Sequence, residues 1–294
     1  MKIYAGITFV VISLFSCFFT STAQLLFPYQ FHAPDAVWEL DDELKEISGL
    51  STSRDGQQLV AVQDEEGIIY FLDKKDGSIL RKVSFWDDGD YEGIEMVGKD
   101  VFVIKSTGTV YWVKEAESQE PVTEKFNYDL NKDNDVEGLG YDPVGNRLLL
   151  ACKAHPDGRK DARGIYSFRL GDMHLTQDPA FTLTLDAVHQ YLSKHPEIPR
   201  YDKVKSFFDE DELDFSPSAL AVHPNSGDLY LLSSKGKMII VMNRKNEIVY
   251  IQKLQKEEHP QPEGLCFDRE GNLYISNEGK DGKATILVYR HRPN

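Results

Sequence analysis

Three glutamates, Glu92, Glu137 and Glu263, each stand directly before a glycine and an apolar residue, in Glu92-Gly-Ile, Glu137-Gly-Leu and Glu263-Gly-Leu. Carboxylates at equivalent places of a repeat point to one channel when the repeats surround an axis. Hard oxygen donors with room for water suit Ca²⁺, which takes about 6–8 oxygen ligands. These three are the candidate metal ligands, with calcium as the candidate cofactor. Ser48 and Ser218 hold the same place in two further copies of the pattern. Just outside that ring fall Asp64, Lys105, Lys153, Asn277 and Glu278, at or just after the end of the next strand in each copy. Together with Ser48 and Ser218 they form the candidate ligand-binding set, and carboxylates mixed with ammoniums also suit a small anionic ligand such as phosphate. Like charges this close are unfavourable unless water, protonation, a cation or a lysine relieves them. Backbone N–H groups of the neighbouring repeat could hold each glutamate instead, and that alternative stays open beside the metal.

The elements that must position these residues form an array. Gln261-Pro-Glu-Gly-Leu-Cys-Phe-Asp-Arg-Glu-Gly-Asn-Leu-Tyr-Ile-Ser-Asn-Glu278 reads as a strand, a turn and a second strand. Near-copies run from Ser48, Tyr91, Asp135 and Ser216. Measured at the second motif position, Gly49 to Gly93 is 44 residues, and Gly93 to Gly138 and Ala219 to Gly264 are 45 each. A period of about 40–45 residues with several short strands per repeat marks a propeller, each blade being a four-stranded antiparallel sheet. The expected fold is therefore all-β, a single five-bladed propeller. The last repeat ends after its third strand, so Val37-Trp-Glu-Leu40 is expected to close it and leave no open edge.

One interval is irregular, with 81 residues between Gly138 and Ala219. Leu185, Val188 and Leu192 stand at helical spacing after the candidate cap Asp186, followed by His195-Pro196, Pro199 and the acidic run Asp209-Glu-Asp-Glu-Leu-Asp214. This predicts a helical insertion over about 186–215 between blades three and four. Strand one is innermost and antiparallel to strand two, so the ring positions share one face of the disc. The turns at Asp142-Pro143, His223-Pro224 and Asp268-Arg269 go to the other face and read as turn residues alone.

The 294 residues carry a net charge of −15, which argues against a nucleic-acid surface. Residues 1–24 run from Met-Lys through an uncharged apolar stretch to Thr-Ala-Gln, the pattern of an export signal with Ala23 or Gln24 at the cut. Leu14-Phe-Ser-Cys17 also resembles a lipoprotein box, so a lipid anchor at Cys17 stays open, as does an uncleaved anchor. Residues 25–36 are expected as a linker and 37–294 as the propeller. The expected location is the periplasm or the cell membrane and envelope. Cys152 and Cys266 fall inside strands and are expected as buried free thiols. His155, His174, His189, His195 and His259 fall in loops or the insertion and are expected to be solvated. No nucleophile elbow, phosphate-cradling glycine loop or zinc-protease helix is present.

The motifs Glu92-Gly-Ile-Glu-Met, Glu137-Gly-Leu-Gly-Tyr, Ser216-Pro-Ser-Ala-Leu and Pro262-Glu-Gly-Leu-Cys-Phe-Asp268, with Asn272-Leu-Tyr-Ile-Ser-Asn-Glu278, resemble the SdiA-regulated (YjiK/CarP-like) family over residues 37–289. The resemblance implies an exported or envelope-associated bacterial β-propeller, with an association to calcium response in some members. That family is distantly similar to β-propeller phytases, which use Ca²⁺ to hydrolyse inositol phosphates. This chain lacks their Asp-Ala-Asp-Asp-Pro opening; His32-Ala33-Pro34-Asp35-Ala36 carries one carboxylate in its place. The leading expectation is a non-enzymatic module that binds a ligand or an envelope protein, with calcium as its candidate metal. The alternatives are a calcium-dependent phosphoesterase, with Lys105 and Lys153 holding phosphate, and a structural interaction scaffold.

Overall fold

The computed structural model describes residues 27–155 and 157–292, so the expected export signal and the candidate anchor Cys17 lie outside the described residues. The chain is a five-bladed β-propeller. Strand β1 (Ala36–Glu39) belongs to the last blade and is followed by a short 3₁₀ turn. Blade one is β2 (Ile47–Thr52), β3 (Gln58–Gln63), β4 (Ile68–Asp73) and β5 (Ile79–Ser84). Blade two is β6 (Tyr91–Val97), β7 (Asp100–Lys105), β8 (Val110–Lys114) and β9 (Val122–Phe126). Blade three is β10 (Val136–Asp142), β11 (Arg147–Cys152) and β12 (Ala162–Arg169), with β13 (His174–Leu175) and β14 (Phe181–Thr184) both paired to β12. Blade four is β15 (Ala219–Val222), β16 (Leu229–Ser233), β17 (Met238–Met242) and β18 (Ile248–Lys253). Blade five is β19 (Pro262–Phe267), β20 (Leu273–Asn277) and β21 (Thr285–Tyr289), closed by β1 in the register Val37↔Leu287. The ring closes as the incomplete fifth repeat requires.

Successive strand residues point to opposite sides of a blade, so each blade serves two cores. Val60, Val62 and Phe71 of blade one pack against Ile94, Val101 and Val103 of blade two, while Leu59, Ala61 and Leu72 face Tyr274 and Ile286 of blade five. The motif glycines let the innermost strands meet. A Cβ on Gly49 would stand 2.8 Å from the Ile94 nitrogen, and one on Gly93 would stand 2.8 Å from the Leu139 Cβ. Both distances are too short for any side chain.

Several local expectations are corrected. The inserted helix α1 (Leu185–Lys194) is capped by Thr184, whose Oγ1 accepts from the Ala187 N–H at 3.2 Å, and Asp186 lies in its first turn. A second helix, α2 (Tyr201–Phe207), follows. Val188, Leu192, Val204, Phe208, Leu213 and Phe215 are buried in the core between blades three and four, so the insertion is packed structure. Within the expected linker, Tyr29 and Phe31 are buried in an aromatic cluster with Tyr230, Phe267 and Tyr289. Phe27 stacks on Tyr250 at 3.7 Å between ring centroids. His223 is no bare turn residue. Its Nε2 lies 3.0 Å from the Tyr29 hydroxyl, and burial with His291 nearby pushes its pKa down to about 4. His259 is fully buried against the Tyr289 hydroxyl at 2.7 Å, with burial holding its pKa down at about 3, and His155 is buried too. Cys152 and Cys266 are free and buried, as the strand pattern implies.

Candidate functional site

The innermost strands of blades one, two, three and five share an irregularity that a sequence does not display. Register shifts between Ile47 and Gly49, Tyr91 and Gly93, Val136 and Gly138, and Pro262 and Gly264. The unpaired residue at each shift is Ser48, Glu92, Glu137 or Glu263, so the ring residues occupy β-bulges. A bulge adds one residue opposite a single partner and re-aims its side chain. Here it turns three carboxylates toward the axis. They line a cavity of about 10 Å³ with Ser48, room for roughly one water molecule. Leu50, Ile94, Leu139, Leu220 and Leu265, one from each innermost strand, line it too and are almost fully buried. An outer-rim groove of about 690 Å³, walled by Glu39, Asp41, Glu43, Asp76 and Lys283, lies away from this mouth and gathers no ring residue.

The serines and glutamates of the ring behave differently. Ser48 Oγ donates to the Tyr91 carbonyl at 2.6 Å and Ser218 Oγ to the Pro262 carbonyl at 2.9 Å, each latching its blade to the next blade along the ring. Glu137 Oε1 instead meets Lys153 Nζ at 2.6 Å, with Asp135 3.7 Å from the same ammonium. Burial, then Glu137 and Asp90, push the Glu92 carboxyl well above the usual range. Burial raises Glu137 too, although Lys153 opposes it, and burial raises Glu263 against Ser234 and Lys153. Three carboxylates thus share one close ammonium. Burial lowers the Lys153 pKa, but Glu137 and Asp135 outweigh it and the ammonium stays charged.

A second ring surrounds the first. The backbone N–H groups of Asp64, Ser106, Lys153 and Glu278 donate to the carbonyls of Glu46, Asp90, Asp135 and Gln261. These four positions are therefore equivalent. Ser106, not Lys105, stands where Lys153 stands. Lys105 pairs with Tyr91 in the sheet, and its ammonium lies 5.2 Å from the centroid of the Tyr91 ring. The two lysines expected to act together are not equivalent, because the end of β7 is one residue out of step with the sequence pattern. Burial and Glu46 push the Asp64 carboxyl up to about 6, and its Oδ1 has no partner. Burial and Glu263 push Glu278 up to about 7, and Gln261 donates to it. Asn277 is fully buried, donates to Thr285 Oγ1 at 3.4 Å and leaves its Oδ1 unpartnered. Glu46, Asp90 and Asp135 escaped the sequence argument although each sits two residues before its ring position. That spacing was the available signal.

Among the described residues, no group of three His, Cys, Asp or Glu side chains is placed to hold a metal ion. Glu92, Glu137 and Glu263 share a mouth, and Lys153 supplies the close positive charge there.

The family model described as SdiA-regulated matches residues 24–280. The chain belongs to the SdiA-regulated family. Among solved structures, this family member is similar to Myxococcus xanthus glutaminyl cyclase, with a TM-score of 0.58 and 9% identity over 88% of this chain and 95% of that one. It is also similar to the PQQ-bound aldose sugar dehydrogenase of Streptomyces coelicolor, at TM-score 0.49 and 13% identity over 88% and 99% of the two chains. A luciferin-regenerating enzyme gives 0.49 and 13% over 88% and 95%. At 9% identity the likeness to the cyclase is one of fold alone.

Proposed function

We propose that this SdiA-regulated propeller is an exported binding module of the cell envelope, with the axial mouth as its site for a ligand that presents a positive group. The observation behind this is the imbalance among the ring carboxylates, of which Glu137 is buried and Glu92 and Glu263 are half-buried. Glu92, Glu137 and Glu263 are turned inward by bulges and have one close ammonium between them. Buried charges without partners are unfavourable, and a bound cation relieves that directly. Calcium is the simplest such ligand, and it has to draw carboxylates together and displace Lys153 from Glu137. The phosphoesterase alternative needs Lys105 beside Lys153, and Ser106 holds that position instead.

The test is thermal melting of the purified chain at pH 8 with millimolar calcium and, separately, a short aliphatic diamine. One of them raises the melting temperature, and Glu92→Gln combined with Glu137→Gln removes the rise. No shift from either cation, in the wild type or in Lys153→Met, overturns the proposal.

A further inference from the structure

In a chain of net charge −15, cations are expected to find carboxylates, and many do. Lys74 meets Asp268, Arg147 and Arg244 meet Asp142, Lys235 meets Asp214, and Lys153 meets Glu137. One group on the blade-four side of the molecule is different. Arg200, Lys203, Lys237, Lys253, Lys256 and Lys280 make no ion pair among the described residues. They come from separate stretches: the start of α2, the turn between β16 and β17, the end of β18 and its loop, and the loop after β20.

Hydrogen bonds show that the central members converge. Lys237 Nζ donates to the Ser234 carbonyl at 2.9 Å, and Lys253 Nζ donates to the Gly236 carbonyl of the same turn. The Leu254 N–H donates to the Lys237 carbonyl at 2.8 Å. Arg200 donates to the Leu254 carbonyl at 3.2 Å and to Gln255 Oε1 at 2.8 Å. Phe207 of α2 packs beneath, with Lys253 Nζ 5.2 Å from its ring centroid, and a Cβ on Gly236 would meet that ring at 2.5 Å. The insertion thus delivers Arg200 and Lys203 to Lys237 and Lys253.

The arrangement is held against resistance. Burial lowers the pKa of both Lys237 and Lys253. Lys280 and Lys256 repel the first, and Lys237, Arg200 and Lys203 the second. Arg200 and Lys237 both sit in the left-handed backbone region, at φ 60° and 50°, which L residues adopt at a cost in strain. The facing carboxylates do not neutralise the group. Glu263 attracts Lys237 from beyond ion-pair distance, and Glu258 is engaged by Gln255. Each lysine spends at most one of its three N–H donors on a backbone carbonyl, so donors remain free for a ligand.

The geometry points to an anion site at this cluster, for a ligand bearing a phosphate group. Several close cations around one turn call for a compact ligand with more than one negative charge and several acceptor oxygens, and a phosphoryl group offers both. A lone carboxylate would leave most of the repulsion in place. The site borders the carboxylate mouth at Glu263 but uses none of the residues varied there, so either assignment can fail without the other.

The test is isothermal titration of the purified chain with pyrophosphate at low ionic strength. The wild type binds, and Lys237→Met combined with Lys253→Met weakens binding by about tenfold or more, since two charge-assisted hydrogen bonds are lost. Lys75→Met leaves affinity within about twofold, because that exposed side chain lies in the turn between β4 and β5 of blade one. Should the double variant lose the wild-type circular dichroism, Lys256→Ala with Lys280→Ala replaces it; both side chains are exposed and make no hydrogen bond among the described residues. Vesicles containing phosphatidic acid, compared with phosphatidylcholine alone, identify the source. A wild-type excess over the double variant on the acidic vesicles assigns a lipid phosphate, and pyrophosphate binding without that excess assigns a soluble one. No binding of pyrophosphate at millimolar concentration, or an equal loss in Lys75→Met, overturns the assignment.

Discussion

Carboxylates on the two faces of the disc meet opposite fates. On the turn face, Asp142 is fully buried and accepts from Arg147 Nε at 2.9 Å and from both Arg244 terminal nitrogens at 2.8 Å. Burial alone would raise its pKa, but the two guanidiniums win and hold it below the usual range. Asp268 repeats the theme with Lys74 at 3.0 Å and Asn272 at 2.8 Å, again below the usual range despite burial. On the mouth face, Glu92, Glu137 and Glu263 are also withdrawn from water, and their carboxyls are raised. Where each charge has a partner from the next blade, it ties the ring together. Where the partners run out, the carboxyl stays raised.

That contrast can be broken most severely at Asp142. Replacing it with Ala strands Arg244 and Arg147 without their shared partner, and the expected loss is about 3 kcal/mol in urea unfolding at pH 7. A loss under about 1 kcal/mol would show that the latch is ornamental.

The mouth should respond with the opposite sign. Glu92→Gln with Glu137→Gln is expected to stabilise the fold by about 1–2 kcal/mol at pH 9, because raised carboxyls destabilise the native state when ionised. The sign follows from proton counting: between the unfolded carboxyl pKa near 4.5 and the raised folded value, the native state holds more protons, so wild-type stability falls as pH rises. The advantage of the variant should therefore disappear below about pH 4.5. A destabilised variant at pH 9 would mean that the glutamates are latches after all.

The smallest effect belongs to the neutral ring members. Ser48→Ala removes the 2.6 Å bond to the Tyr91 carbonyl and should cost about 1 kcal/mol, independent of pH between 5 and 9. A pH-dependent loss would assign Ser48 to the carboxylate network.

The repeat was legible because each blade obeys the same local rules: a small residue where inner strands touch, glycine in four blades and Ala219 in blade four, with alternating apolar residues and a turn before the second strand. The site was legible only as a set of equivalent places. Lys105 and Lys153 look alike as strand-ending lysines, yet hydrogen bonding sets Ser106 opposite Lys153, because position in a ring depends on strand register and not on residue type. The Asp142–Arg244 latch joins residues 102 apart, and Lys74 and Asp268 are 194 apart. No local pattern marks either pair.

The sequence by itself determined the five blades, the closing strand and the place of the insertion, since periodicity and edge closure are properties of the chain's own repeat. Only the tertiary structure decided which polar residues are partnered. The bulges aim Glu92, Glu137 and Glu263 inward, the angle between blades brings Arg244 to Asp142, and the folded insertion carries Arg200 to Lys237 and Lys253. Pairing depends on distances between blades, and those exist only once the ring has closed.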